Sequence, residues 1–312
     1  MAIHLLILLI TLFLIACLLF KLFLRIENFE LNDQTRLSLP GQFIALAAGV
    51  THFEIQGSAN APVVVLVHGF STPFYIWGPT FEALAAAGFR VLRFDLYGRG
   101  YSERPRTAYC IQLCITQLSQ LLTALEIKDP VHLVGLSYGG TVVAGFTNQN
   151  PESVKTLTLI DPLVTTTALE KIKALKFPLV GELLMALYLA PYFLPKSQPL
   201  DFYKPERFPG WETRYRDQMR YKGFCRAILS TFRNVRKMFL ESDYRAIGKT
   251  RLPVLGFWGE QDLTISRTDM FQLESLIPQM RLHTIKNAGH IPHYEQPDIV
   301  NPILIRFLRN NN

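Results

Sequence analysis

The stretch "HLVGLSYGGTVVAG", His132 to Gly145, limits what this chain can fold into more than any other. It opens with residues that suit a buried strand and closes with residues that suit a helix. Between them Ser137 is flanked by Gly135, Gly139 and Gly140. A strand that turns this abruptly into a helix has no room for neighbouring side chains, which would collide with the adjacent strand and helix. The turn thrusts one side chain out above the carboxyl edge of a sheet, and the next N–H opens the helix. Ser137 is therefore the candidate nucleophile, and the Tyr138 N–H a candidate oxyanion donor.

The remaining sequence supplies a sheet for that turn. "PVVVLVHGF", Pro62 to Phe70, is a continuous β-branched run, as expected of a central parallel strand covered on both faces. Before it come a polar connector, Asn28 to Leu39, and a strand pair around Gly49–Phe53 and the segment ending at Gly57. After it, helix and strand alternate: a helix near Phe74–Ala87, a strand at Arg90–Asp95 and a helix near Tyr109–Leu125. The strand Val131–Gly135, a helix to about Asn148 and the strand Lys155–Asp161 continue the pattern. Such alternation predicts an α/β fold with a mostly parallel sheet and helices on both faces. From about Leu163 to Thr250 the pattern stops, leaving helical and Pro-broken segments. It resumes with a strand at Leu252–Gly259, a helix near Arg267–Ile277, the strand "RLHTI" and a helix near Asp298–Leu308. The chain thus divides into an N-terminal segment 1–27, a core in two parts, 28–162 and 251–312, and a helical cap 163–250. With 312 residues and 49% hydrophobic content it can bury such a core.

A serine hydroxyl is a poor nucleophile at neutral pH and needs a base, and the base needs an orienting acid. Of the seven histidines, His4 lies in the apolar N-terminus, and His132 and His283 lie within strands. His290, in the loop "NAGHIPHYEQP", is favoured because Ala288 and Gly289 permit a tight approach. His293 is the rival, and reads better as a structural hydrogen-bonder. The acid is expected in a loop after a strand. Asp262 in "FWGEQDLTI" fits best, with Asp161 in "LIDP" and Glu260 as alternatives. In "LVHGFST", Gly69 allows a sharp turn and the Phe70 N–H is the second candidate oxyanion donor. Phe70 and Tyr138 are also the candidate substrate-contacting positions. His68 reads as a structural hydrogen bond in that turn.

These motifs together resemble the α/β-hydrolase fold enzymes over roughly residues 40–310. The matches are "HGF" at His68–Phe70, "DLYGRGYS" at Asp95–Ser102, "GLSYGG" at Gly135–Gly140, "GEQD" at Gly259–Asp262 and "GHIPHYEQP" at Gly289–Pro297. The resemblance implies a serine hydrolase with the order Ser, Asp, His and no cofactor or metal, and it implies that Asp95 and Arg99 shape a loop rather than react. Serine at the elbow departs from the epoxide hydrolases and haloalkane dehalogenases, which place Asp there.

Substrate class turns on two further features. "AIHLLILLITLFLIACLLF", Ala2 to Phe20, is uncharged; as a helix it would be about 30 Å long, enough for a hydrocarbon core. It lacks a basic leader and a small-residue cleavage site, so a retained single-pass anchor is favoured over a cleaved signal. "LIAC" resembles a lipoprotein box at Cys17, but the apolar run continues past it. Lys21 and Arg25 point to a cytoplasmic body. Cys110 and Cys114, four apart, have no further ligand to complete a metal set, and with Cys225 read as free thiols.

The cap opens with the apolar "FPLVGELLMALYLAPYFLP", Phe177 to Pro195, too interrupted for a second span and suited to line an acyl pocket or dip into a bilayer. From Lys204 to Arg251 there are 13 Lys+Arg against 5 Asp+Glu, so the whole chain's +7 resides in the cap. No nucleic-acid motif accompanies that charge, and anionic lipid headgroups are the expected partner. The expectation is a lipase- or esterase-type enzyme, similar in layout to anchored monoacylglycerol-lipase-like hydrolases and bacterial lipases. It would cleave esters of medium or long acyl chains at a membrane. Short-chain carboxylesterase and meta-cleavage C–C hydrolase activity remain the alternatives.

Overall fold

The computed structural model describes residues 2–165, 172–234 and 240–312. Eight strands form one sheet: β1 (Gln42–Leu46), β2 (Gly49–Gln56), β3 (Val63–Val67), β4 (Arg90–Phe94), β5 (Val131–Leu136), β6 (Val154–Ile160), β7 (Val254–Gly259) and β8 (Arg281–Ile285). Their order is β1-β2-β4-β3-β5-β6-β7-β8. β1 and β2 pair antiparallel, and β2 meets β4 antiparallel, while β4, β3, β5, β6, β7 and β8 run parallel.

β3 explains why the sheet sits inside. All five of its residues are buried. Val63, Val65 and Val67 join the core on one face and Val64 and Leu66 the core on the other, the two-residue period of a pleated strand. Helices supply both layers: α3 (Gly78–Ala86), α4 (Ile111–Ala124), α5 (Tyr138–Gln149), and after the cap α10 (Arg267–Leu276) and α11 (Pro297–Asn310). One strand differs from the sequence reading. β1 and β2 form a hairpin earlier in the chain than expected, and Gly49–Gln56 is one strand, so the expected connector ends before β1. Within that connector, Asn32 caps a short helix α2 (Asp33–Leu37) by accepting from Thr35 N.

No strand falls between β6 and β7 among the described residues. The cap instead holds α6 (Val180–Leu184), α7 (Trp211–Met219), α8 (Phe224–Asn234) and α9 (Leu240–Gly248), with its own apolar cluster around Leu189, Tyr215, Phe224 and Ile228. Directly after α6, Met185–Phe193 winds as a π-helix containing Pro191; proline lacks the N–H that an α-helical turn would use. Met185, Ala186, Leu189 and Ala190 face the cap core, whereas Phe177, Leu179, Leu183, Tyr188 and Tyr192 are exposed. The basic residues Arg236 and Lys237 lie outside the described residues.

The N-terminal segment forms α1 (Ala2–Ile26), 25 residues long. Its side chains 3–7 and 9–15 are all exposed, while those of Cys17, Lys21 and Arg25 lie outside the described residues. Among the described residues no helix is long and apolar enough to cross a membrane; within α1 the longest described run of side chains is 9–15. The helix is joined to the cap at its end. Ile26 packs on the cap cluster, and the buried Glu27 carboxylate accepts from Gly223 N at 2.7 Å and Cys225 N at 2.6 Å. Phe29 then exchanges backbone bonds with Arg220 O and Lys222 N. A segment boundary at residue 27 therefore cuts through a buried contact with the cap.

Candidate active site

The elbow is built as its glycines require. β5 ends at Leu136, α5 begins at Tyr138, and Ser137 between them takes φ 52° and ψ −118°. A non-glycine residue at positive φ is strained and persists only when its surroundings hold it there. Here Ser137 N donates to Ile160 O at 2.9 Å and Ser137 O accepts from Gly140 N at 2.9 Å. A Cβ at Gly139 would strike Val67 O and His68 O, and one at Gly135 would strike Gly139 O. Beside this turn, a Cβ at Gly69 would lie 3.4 Å from Ser137 Cβ, which puts the "HGF" loop against the serine.

The structure brings His290 and Asp262 together. His290 Nδ1 lies 2.7 Å from Asp262 Oδ2, and Asp262 Oδ1 accepts from Thr264 N at 2.6 Å and Ile265 N at 3.1 Å. Ser137 and His290 both line one cavity of about 450 Å³ over the carboxyl edge of the sheet, a volume within the usual range for small-molecule sites. Among the described residues neither Ser137 Oγ nor His290 Nε2 makes a hydrogen bond, and both residues are largely buried. A second hollow lies at the amino ends of β3, β4 and β5, between Ala59–Val63 and Glu126–Pro130, the edge of a parallel sheet opposite to where ligands bind.

The electrostatics follow from these contacts. Burial lowers the proton affinity of His290, but the Asp262 carboxylate outweighs it and holds the imidazole up at about 9. Burial raises Asp262, and the His290 partner and the two backbone donors bring it below the usual carboxylate value. Asp161, fully buried at the end of β6, goes the other way: burial and the neighbouring Asp262 push it well up. Glu260, the other alternative acid, is exposed and points to Gln261. One atom each of Asp161, Asp262 and His290 lies within 4.8 Å of the others, a spacing a cation could use. Here the Nδ1–Oδ2 hydrogen bond and the Gly259 N–H, which donates to Asp161 Oδ1, already engage those groups.

The other histidines are tied into the framework. His68 Nδ1 lies 2.9 Å from Gly69 O and its Nε2 accepts from Leu96 N; burial pushes it down to about 4, so it holds the loop as a neutral ring. His293 lies 3.2 Å from Ile76 O and packs on Trp77, and burial lowers it to about 3. His132 bonds Thr156 within the sheet. Asp95 and Arg99 do shape a loop. Asp95 accepts from Phe74 N and Tyr101 N and pairs with His52, and Arg99 donates to Phe70 O, Tyr97 O and Thr231 Oγ1.

Tyr138 calls for a correction. No described hydrogen bond uses the Phe70 or Tyr138 N–H, as oxyanion donors require. The Tyr138 ring, however, is buried in the core beside Cys114 and is absent from the cavity wall, so it does not line a substrate pocket. Phe70 does line the cavity, packed on Phe232 of the cap. The cysteines are as expected: Cys110, Cys114 and Cys225 are free thiols.

Sequence reasoning missed Asp201. It lies in the proline-flanked "QPLDFYKP" of the cap, lines the cavity, and its carbonyl accepts from His290 N at 2.7 Å. Burial raises its carboxyl to about 6. It also missed Glu295, whose carboxylate accepts from Gly289 N and Tyr203 N and so clamps the His290 loop to the cap. No local pattern marks Asp201, and although Glu295 falls within the Gly289–Pro297 match, its grip on Tyr203 forms only when cap and core meet.

Known proteins share this architecture. The chain is 25% identical over 268 residues to the carboxylesterase YbfK of Bacillus subtilis, covering 85% of this chain and 86% of that one. It is 24% identical over 278 residues to Lipase 1 of Psychrobacter immobilis, covering 85% and 83%. A thermophilic esterase from Thermogutta terrifontis superposes with a TM-score of 0.74 at 22% identity, covering 86% of this chain and 99% of that one. The family model of the alpha/beta hydrolase fold matches residues 62–297, from just before β3 to the start of α11, and the chain belongs to that family.

Proposed function

We propose that the protein is a serine hydrolase of carboxylic esters with medium- to long-chain acyl groups, acting through an acyl-enzyme. The observation that carries this reading is the His290–Asp262 bond of 2.7 Å in the loops that wall the cavity holding Ser137. Asp262 fixes the proton of His290 on Nδ1, leaving Nε2 to take the Ser137 proton as Oγ attacks the ester carbonyl carbon. The oxyanion is received by the Phe70 and Tyr138 N–H groups. The tetrahedral species collapses, the C–O bond to the alcohol breaks, and His290 returns the proton to the leaving oxygen. Water then attacks the acyl carbon with His290 again as base, releasing the carboxylic acid and Ser137.

The lipid side of the reading rests on the apolar cavity wall, where Leu163, Ile172, Phe193, Leu194, Leu200 and Phe232 surround the serine. Leu200 and Leu263 at this cavity are also exposed, at 61% and 84%, which suits a mouth that meets a lipid surface. Exposed leucines and isoleucines along α1 are costly in water, and α1 is a single-pass anchor with the body on the cytoplasmic side. The positive cap attracts anionic headgroups.

A fluorophosphonate probe should label the wild type and not Ser137→Ala, and a panel of p-nitrophenyl and glyceryl esters should favour chains of eight or more carbons, about the length an apolar pocket of this kind rewards. Labelling that survives in Ser137→Ala rejects the nucleophile. Activity confined to acetyl esters, or to a dienoate C–C substrate, rejects the lipid reading. A chain starting at Ile26, which keeps Glu27, should leave the membrane fraction; equal solubility of both forms rejects the anchor.

A further inference from the structure

Asp161 is a buried acid for which the mechanism above has no use. Its Oδ1 accepts from Gly259 N at 3.0 Å, while its Oδ2 is buried with no donor to satisfy it among the described residues. One carboxyl oxygen of Asp161 lies within 4.8 Å of one of Asp262. The residue precedes Pro162 and sits at φ 41°, a strained conformation for a side chain-bearing residue, held by its N–H to Phe257 O. Two carboxyls this close in a buried corner repel each other's charge, which favours a proton on one of them. The donors decide which. Among the described residues Asp262 receives the His290 ring and two backbone N–H groups, whereas Asp161 receives only Gly259 N.

We propose that Asp161 is a positioning residue whose protonated Oδ2 donates a hydrogen bond to the Asp262 carboxylate, so that Asp161, Asp262 and His290 form one hydrogen-bonded chain. The proton satisfies the orphaned oxygen and lets Asp262 keep its charge in a dry site. It also limits the negative charge around His290. Asp262 from the loop after β7, Asp201 from the cap and Glu295 from the turn after His290 already surround this corner. A further charge on Asp161 would hold the ring so strongly protonated that it could not serve as base.

The catalytic consequence rests on the proposed triad, but the primary readout does not. His290 ring titration is followed by NMR in the full chain in detergent micelles, for wild type, Asp161→Asn and Asp161→Ala. Asn keeps a neutral donor, so the His290 midpoint should stay within about half a pH unit of wild type. Ala removes the donor, strengthens the pull of Asp262, and should raise that midpoint by half a unit or more, with a three- to tenfold loss of ester kcat/KM near neutral pH that Asn rescues, about the size of one hydrogen bond. If Asp161 is instead charged, Asn deletes an anion within 4.8 Å of the ring, and the midpoint falls by about two units. That fall overturns the proposal, as does an unmoved midpoint in a folded Ala variant. Should Ala not fold, the Asn titration decides alone. Loss of turnover in Ser137→Ala together with an unchanged titration separates this proposal from the triad.

Discussion

Replacing Asp262 by Asn removes a charge from a side chain 2.7 Å from the His290 ring and keeps its size. In the wild type the ring is raised from 6.5 to about 9. That difference corresponds to about 3 kcal/mol of preference for the imidazolium. The preference acts when the ring accepts the Ser137 proton, so losing it costs roughly 300-fold. The amide can also turn its NH2 toward Nδ1, leaving the ring proton on Nε2, where it faces the serine; the total loss is then roughly 10³ to 10⁴ in kcat/KM. With the carboxylate gone, burial pulls the ring down against only the smaller Asp201 charge, so the acidic limb of kcat/KM moves well down from near 9, toward 6.5. Acid release from a glyceryl ester, followed by pH-stat between pH 5 and 10 and corrected for spontaneous hydrolysis, measures both effects. A variant within tenfold of wild type at pH 9.5, or one whose limb stays near 9, refutes the reasoning, whatever its stability.

The same ring links stability to pH: its folded value, about 9, lies above the unfolded 6.5, so its contribution is complete below 6.5 and fades as pH rises to 9. Urea titrations should therefore find a loss of up to about 3 kcal/mol across that interval, absent in His290→Asn. Gly139→Ala drives a methyl group into Val67 O and His68 O, which are backbone and cannot yield; a destabilisation of about 3 kcal/mol or more is expected in urea unfolding. Glu27→Ala leaves the Gly223 and Cys225 N–H groups unpaired, at about 1–3 kcal/mol each. Hydrogen exchange should rise at the start of α8 while β3 and β5 stay protected.

The sheet and the elbow were legible because short-range rules set them. A β-branched run such as Val63–Val67 has one stable environment, covered on both faces, and Gly135, Ser137 and Gly139 admit one kind of turn. His290 and Asp262 were legible because each lies in a loop directly after a strand, where the parallel order fixes its position over the sheet edge. The first hairpin was not: "GQFIALAAGV" has neither strict alternation nor a compact turn signal, and β1 gains its place by pairing with β2 and packing Ile44 and Leu46 on the core.

Three matters belonged to the tertiary structure. The Tyr138 ring turns into the core because its φ and ψ follow from the helix that the elbow starts. Asp201 reaches the His290 loop from a part of the chain whose sequence carries no sign of that contact, and Glu295 ties the same loop to Tyr203 of the cap. Asp161 stands behind Asp262 because β6 and β7 are neighbours in the sheet, 93 residues apart in the chain from Asp161 N to the start of β7. Sequence alone fixes what each residue can do locally; which buried charges meet, and therefore which must give up its charge, depends on distances that only the folded sheet and its cap create.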